Sequence, residues 1–434
     1  MIRFSSLLPL LLPTLALPLA PAGVEEELKA LETFDAVWRI VDRQHFDPTF
    51  NGVDWDAVRQ ELRPRAAEAT DVAELRFIVN DMLGRLGQSH FSLIPKEELR
   101  GGEEGSSASP AGTCGLDLRW LEENLVIVRV EPESSAEQAG VRPGWLLRQV
   151  AGKDVAEMRE AASKLQTLRL ETALWRVARN TIDGEVGSSV ELLFETPTGE
   201  AEKVRLERVA RDAIPFDLQG LPTFFLTHRW SIDEYEDISI GVVHFSNWFK
   251  PLVELLDEAL VEMRGCDGIV IDLRSNTGGD AQVGTSVAGH FFDERVSLGT
   301  HRMRNRSRPM TVRPRRRFDF GSAQPYAGPV AILADETTGS CSEVFTGGMR
   351  ALGRARVFGS RTAGAALPAT TSRLPNGDSL LHAIAEFETS LGEVLEGDGV
   401  RPDEAIVPTR SDWVAGRDVA LEAALAWIAD ESDA

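Results

Sequence analysis

Four short stretches carry side chains suited to acyl-transfer chemistry. In DETTGSCSEVF, residues 335 to 345, Ser340 follows an apolar run and precedes an amphipathic one. That spacing puts it at a strand-to-helix turn, where a hydroxyl stands clear of the backbone. The amide of Cys341, at the helix start, would face a developing oxyanion. Ser342 is a second hydroxyl, but it lies inside the helix. A serine is a poor nucleophile until a base takes its proton. LGQSHFSL, residues 86 to 93, offers His90, which is basic near neutral pH, beside Ser89. DLRSNTGGD, residues 272 to 280, follows the apolar GIVI, and either Gly278 or Gly279 could expose a second oxyanion donor. LEGDGVRPDEAIVP, residues 395 to 408, holds Glu396 ahead of a turn built on Gly399 and Pro402. Taken singly, each has an ordinary reading: a helix N-cap, a structural histidine, a plain turn, a solvated carboxylate.

The elements that must bring these stretches together differ along the chain. Residues 24 to 97 read helical: Leu28, Leu31, Phe34, Val37, Trp38 and Val41 fall near helical period, Asp54 suits a second N-cap, and a third helix ends near Gly87. GGEEGSSASPAG, residues 101 to 112, has the composition of a flexible linker. From 113 to 210 short strands, a short helix and a closing hairpin are expected. From about 216 onward, apolar strands (ISIGVVHF, GIVIDLR, PVAILAD, ARVFGS) alternate with amphipathic helices, which predicts a layered α/β domain. RLPNGDSLLHAI adds a hairpin turning at Asn376-Gly377, and DVALEAALAWIA a closing helix. Arg302, Arg304, Arg306 and Arg308 alternate, so on one strand they would share a face. They read as a solvated strand offsetting an acidic protein.

The 113 to 212 segment resembles a PDZ domain, in its Gly115-Leu116-Asp117-Leu118 loop, its SSAEQAGVRPG stretch and its strand LLRQVAGKDV. One departure is Trp145, where such domains carry Asp after Pro-Gly. The resemblance implies that the loop amides of Gly115 to Leu118 capture a peptide C-terminal carboxylate while the peptide adds as a strand.

Together the stretches resemble the C-terminal processing protease and tricorn family of serine peptidases. Three motifs carry the likeness, in order: DLRSNTGG, Ser340-Cys341-Ser342-Glu343, and EGDGVRPD. The resemblance covers nearly the whole chain. It implies an α/β (α+β) catalytic domain of crotonase-like layered type, at 213 to 434, with an N-terminal helical bundle at 23 to 100 and an inserted PDZ domain. The processing branch uses a serine–lysine dyad, with the lysine in a T-F-G-K-G stretch. Here that stretch is Thr362-Ala363-Gly364-Ala365-Ala366, and the last lysine of the chain is Lys250. The tricorn-like branch instead draws a histidine from an S-H pair and supports it with a C-terminal glutamate. By that resemblance Ser340 is the nucleophile and His90 the base. Ser89 and Glu396 orient His90, and Cys341 with Gly278 or Gly279 forms the oxyanion hole. The expected reaction is metal-independent, cofactor-free hydrolysis of protein or peptide substrates, with C-termini as the recognised feature. A rival on the same fold is ligand binding, as in repeats of the interphotoreceptor retinoid-binding protein.

A net charge of −22 speaks against nucleic-acid and anionic-membrane partners. Residues 1 to 22 combine Arg3, an apolar run and Ala20-Pro21-Ala22, the pattern of a cleaved secretory signal, so the chain is expected to be exported, periplasmic or extracellular, without a stable membrane span. Three cysteines, Cys114, Cys266 and Cys341, suggest neither a disulfide framework nor a zinc site.

Overall fold

The computed structural model describes residues 22–99, 112–163, 170–217, 223–315 and 325–432. The expected signal before Ala22 and nearly all of the expected linker lie outside these residues.

The N-terminal region forms helices Ala22–Gln44, Trp55–Glu68 and Val72–Gly84. Asp54 caps the second as expected, accepting the Ala57 amide at 2.9 Å. Phe34, Val37 and Val41 are fully buried at helical period. This core does not close on itself. It includes Leu374 and Leu380, from the hairpin formed by Ala369–Arg373 and Ser379–Ala383. The chain leaving the third helix runs as Ser92–Ile94, antiparallel to that hairpin, with Leu93 opposite Leu380. The Arg76 guanidinium closes on Asp378 at 2.6 and 2.9 Å, and the Lys96 amide donates to the same carboxylate at 2.9 Å. A ladder, a buried carboxylate and shared apolar side chains therefore fix the helical region onto the C-terminal one.

The C-terminal region holds a six-stranded sheet in the order His228–Tyr235, Ile238–Phe245, Gly268–Asp272, Val330–Ala334, Arg356–Gly359, Glu404–Ala405. The first pair is antiparallel and the rest are parallel. Gly268–Asp272 and Val330–Ala334 are buried throughout, as parallel strands covered on both faces must be. Ile269 and Ile271 face helices Pro251–Glu262, Ala281–Ala288 and Cys341–Ala351, while Val270 faces Val419–Ser432. That alternation is the two-residue period of a strand.

Between them, strands Leu116–Leu121, Asn124–Val130, Leu146–Val150, Ser189–Glu195 and Ala201–Glu207 form a second sheet in that order. Its core joins Leu118, Ile127, Leu147 and Phe194 to Trp175 and Ala178. The last two belong to helix Leu170–Ile182, an element the sequence reading did not anticipate.

The arginine expectation fails. Met303 pairs with Arg306, so Arg304 and Asn305 form a two-residue turn between Val296–Met303 and Arg306–Val312. Asparagine favours such a turn. Arg302 pairs with Glu388, and Arg304 donates to the Asp42 carbonyl at 2.7 Å. Among the described residues, no helix is long and apolar enough to cross a membrane.

Candidate active site

Strand Val330–Ala334 ends in a loop that Asp335 ties down. Its Oδ1 accepts the amides of Thr337 and Thr338 at 3.0 and 3.1 Å and the Thr337 hydroxyl at 2.6 Å. The loop delivers Ser340 to the start of helix Cys341–Ala351. Ser340 has φ +54° and ψ −119°, a strained conformation for a residue with a Cβ. Such strain costs about 1–3 kcal/mol and persists only where the surroundings enforce it. Here the enforcing group is Glu343. Fully buried, its carboxylate accepts the amides of Ser340 (3.1 Å), Gly364 (2.6 Å) and Ala365 (2.8 Å) and the Thr362 hydroxyl (2.6 Å). Burial pushes its pKa up to about 7, against the pull of those hydrogen bonds. Sequence reasoning gave Glu343 no role, although serine followed three residues later by glutamate is a capping-box signal. Ser342 is structural: fully buried, it accepts the Trp248 indole N–H at 2.8 Å and donates to the Asn276 carbonyl at 3.1 Å.

His90 reaches the same place from the docked helical region. Its Nε2 lies 3.2 Å from Ser340 Oγ, and its Nδ1 lies 2.7 Å from Ser89 Oγ. The Ser89 hydroxyl donates to Glu396 Oε2 at 2.8 Å. Having spent its only proton, Ser89 must accept from Nδ1–H, which leaves the Nε2 lone pair facing Ser340. Glu396 is held in turn by the amides of Ser89 (2.7 Å) and Ala366 (3.0 Å). His90 also has a positive φ, +60°, so His90 and Ser340 both sit in costly backbone conformations. Burial lowers the His90 pKa to about 4, and the positive charge of Arg176 acts in the same direction.

The candidate oxyanion groups converge as well. A Cβ on Gly278, which has φ +107°, would lie 2.6 Å from Ser340 Cβ and 3.0 Å from Cys341 N. Glycine therefore keeps the space in front of that amide open. The Gly278 amide itself donates to Asn276 Oδ1 at 3.0 Å, whereas the amides of Cys341 and Gly279 have no partner among the described residues. A cavity of about 750 Å³ opens onto His90, Ser89 and Ala363 to Ala365, with Thr172, Trp175 and Arg176 from helix Leu170–Ile182 in its wall.

A family model described as "Peptidase family S41" matches residues 239–406, and one for the tricorn protease C1 domain matches residues 27–84. Residues 239–406 thus carry a peptidase family S41 domain. Relatives of the chain include the carboxyl-terminal-processing protease of Picosynechococcus sp., 26% identical over 380 residues, covering 85% of this chain and 81% of that one. The photosystem II D1 C-terminal processing protease has the same fold, with a TM-score of 0.59 at 23% identity over 90% of this chain and 98% of that chain. Mature CPAF gives a TM-score of 0.63 at 14% identity, covering 94% and 98%.

Ala365, expected at the lysine position of the processing branch, carries no amine. It serves as a backbone clamp: its carbonyl accepts the Ser340 amide at 2.9 Å. The Gly115 to Leu118 stretch is less open than expected. The Gly115 amide donates to Thr113 Oγ1 at 3.1 Å, and Leu116 to Leu118 already lie in the edge strand. There the Leu118 carbonyl accepts the Trp175 indole N–H at 3.0 Å and Arg119 at 2.9 Å. A peptide adding to this edge has to displace the Trp175 indole.

Proposed function

We propose that this S41 peptidase is an exported endopeptidase that cleaves protein or peptide substrates through an acyl-serine intermediate, with Ser340 as nucleophile and His90 as base. The observation that carries this reading is the unbroken chain Glu396, Ser89, His90, Ser340, with each link between 2.7 and 3.2 Å.

The steps follow from the proton positions. His90 Nε2 takes the Ser340 proton as Oγ attacks the scissile carbonyl. The imidazolium donates through Nδ1 to Ser89, and Glu396 supports the charge through that hydroxyl. The oxyanion forms in front of Cys341 N–H, with the Gly278-Gly279 backbone as the second side of the hole. His90 Nε2 then protonates the leaving amine. Water repeats the sequence on the acyl-serine. Ala365 leaves no amine near Ser340 to act as the base, which favours histidine in that role. The low His90 pKa keeps the imidazole neutral, and so able to accept a proton, across the neutral range.

In this reading the sheet of residues 113 to 212 is a PDZ-type recognition domain, the region from 213 is a crotonase-like catalytic domain, and residues 23 to 100 form a domain supplying the base. Substrate C-termini are recognised at the Leu116–Leu121 edge once Trp175 yields.

The test is hydrolysis of unfolded casein by the wild type beside His90→Ala and Ser340→Ala. Loss of roughly a hundredfold or more in both is expected for removal of a base or a nucleophile. Activity surviving in His90→Ala refutes the assignment.

A further inference from the structure

The cavity that opens onto His90 has a charge character unlike the rest of the chain. Its charged lining consists of Arg176, Arg179 and Arg211 against a single acid, Asp183, in a protein of net charge −22. Two of these arginines are committed. Arg211 pairs with Asp183 at 2.5 Å, and Arg179 lies 3.5 Å from Asp117 and 3.8 Å from Asp183. Arg176 has no hydrogen-bond or ion-pair partner among the described residues. Helix Leu170–Ile182 turns Leu174, Trp175, Ala178 and Ile182 into the core, which leaves Arg176 facing the cavity. Its side chain is exposed along the cavity wall, and its positive charge reaches His90. An unpaired guanidinium held beside a base that must become cationic opposes the reaction unless an anion arrives with the substrate.

We infer that Arg176 is the receptor for a carboxylate of the bound peptide, so that the site selects substrates carrying a negative charge close to the scissile bond. This rests on the peptidase reading of the site. The guanidinium fork matches a carboxylate in two parallel hydrogen bonds. Two sources supply that chemistry: the free α-carboxylate of a chain end, or an aspartate or glutamate side chain. The receptor is distinct from the Gly115 to Leu118 edge, because it opens into the catalytic cavity itself. It also links recognition to reactivity. A carboxylate on Arg176 cancels the positive field at His90 and makes the base stronger once substrate is in place.

Binding without turnover provides the test. Fluorescently labelled alanine-rich hexapeptides are titrated into Ser340→Ala, Ser340→Ala/Arg176→Ala and Ser340→Ala/Arg176→Lys. Three peptides are used: a free acid, its C-terminal amide, and the amide with one internal aspartate. A charge-assisted, bidentate contact predicts that at least one acidic peptide binds Ser340→Ala roughly 10- to 100-fold more tightly than the neutral amide. Arg176→Ala should bring that ratio to about one, with Arg176→Lys in between. Whichever acidic peptide is preferred identifies the source of the carboxylate. An equal ratio with and without Arg176, no acid preference, or no measurable binding of either acid overturns the inference. Removing Arg176 leaves no group among the described residues unpaired, so unchanged melting temperatures are expected and a binding loss reads as recognition. If the wild type hydrolyses no peptide, the peptidase reading falls, while the binding ratio still decides the role of Arg176.

Discussion

Replacing Ser89 by alanine isolates the least conspicuous link of the site. The Ser89 hydroxyl joins His90 Nδ1 at 2.7 Å to Glu396 Oε2 at 2.8 Å. Its removal does not strand the carboxylate, because Glu396 keeps the amides of Ser89 and Ala366. What disappears is the acceptor for Nδ1–H, which matters most when His90 is cationic. A hydrogen bond to a charged group is worth about 1.5–3 kcal/mol. At about 1.4 kcal/mol per factor of ten, kcat should fall roughly 10- to 150-fold. KM should barely change, since the contact strengthens only in the transition state. Steady-state hydrolysis of a small ester separates the two parameters. Ser89→Thr keeps the hydroxyl and should restore most of the rate. Adding Glu396→Gln to Ser89→Ala should cost little more than the worse single change, because both act through one connection. An unchanged kcat in Ser89→Ala, or an equal loss in Ser89→Thr, would refute the reasoning.

Further outcomes are expected. Gly278→Ala puts a methyl 2.6 Å from Ser340 Cβ at a positive φ, so labelling of Ser340 by a serine-directed probe should drop by about a hundredfold, the scale of losing an oxyanion donor. With burial and the Arg176 charge lowering the His90 pKa to about 4, and His90 proposed as a neutral base, kcat/KM for a small ester should stay level down to about pH 5 and fall below it; Arg176→Ala removes one cause of the depression and should move that limb to higher pH. The same depressed value means the unfolded chain binds the His90 proton first as pH drops from 6.5 toward 4, so stability declines over that window and circular dichroism should be read alongside the rates. Among the described residues, Arg76→Ala leaves the buried Asp378 carboxylate with only the Lys96 amide and the Asn376 side chain, which should cost about 1–3 kcal/mol and lower the melting temperature.

Much of the site was legible because its chemistry is local. Ser340, His90, Ser89 and Glu396 each sit in a short stretch whose residue types reveal a turn or a pair, and the structure brings all four together. The parallel strands were legible because full burial leaves continuous apolar runs. Other features depend on what a residue meets far along the chain. Glu343 looks like an ordinary helix-start glutamate until Thr362, Gly364 and Ala365 fold over it. Arg176 lies on a helix whose apolar positions sit among polar ones, and only the cavity gives it meaning. The arginine alternation misled because a strand and a hairpin can share the same two-residue spacing, and the turn at Arg304-Asn305 carries no glycine. The Gly115 loop looked open because a sequence does not show that Trp175 will settle on Leu118.

The pairing of Ser92–Ile94 with Ser379–Ala383 has a temporal consequence. The proposed base and nucleophile, His90 and Ser340, are 250 positions apart, and the pairing that brings them together involves a strand completed after both have been synthesised. Contacts of such long sequence separation form late, because loop closure must be met before they give any return. A growing or truncated chain therefore holds a histidine without its serine, or a serine without its histidine. On the proposed mechanism, competence to cut requires that docking, so a chain clipped before Ser379–Ala383 is expected to stay inert.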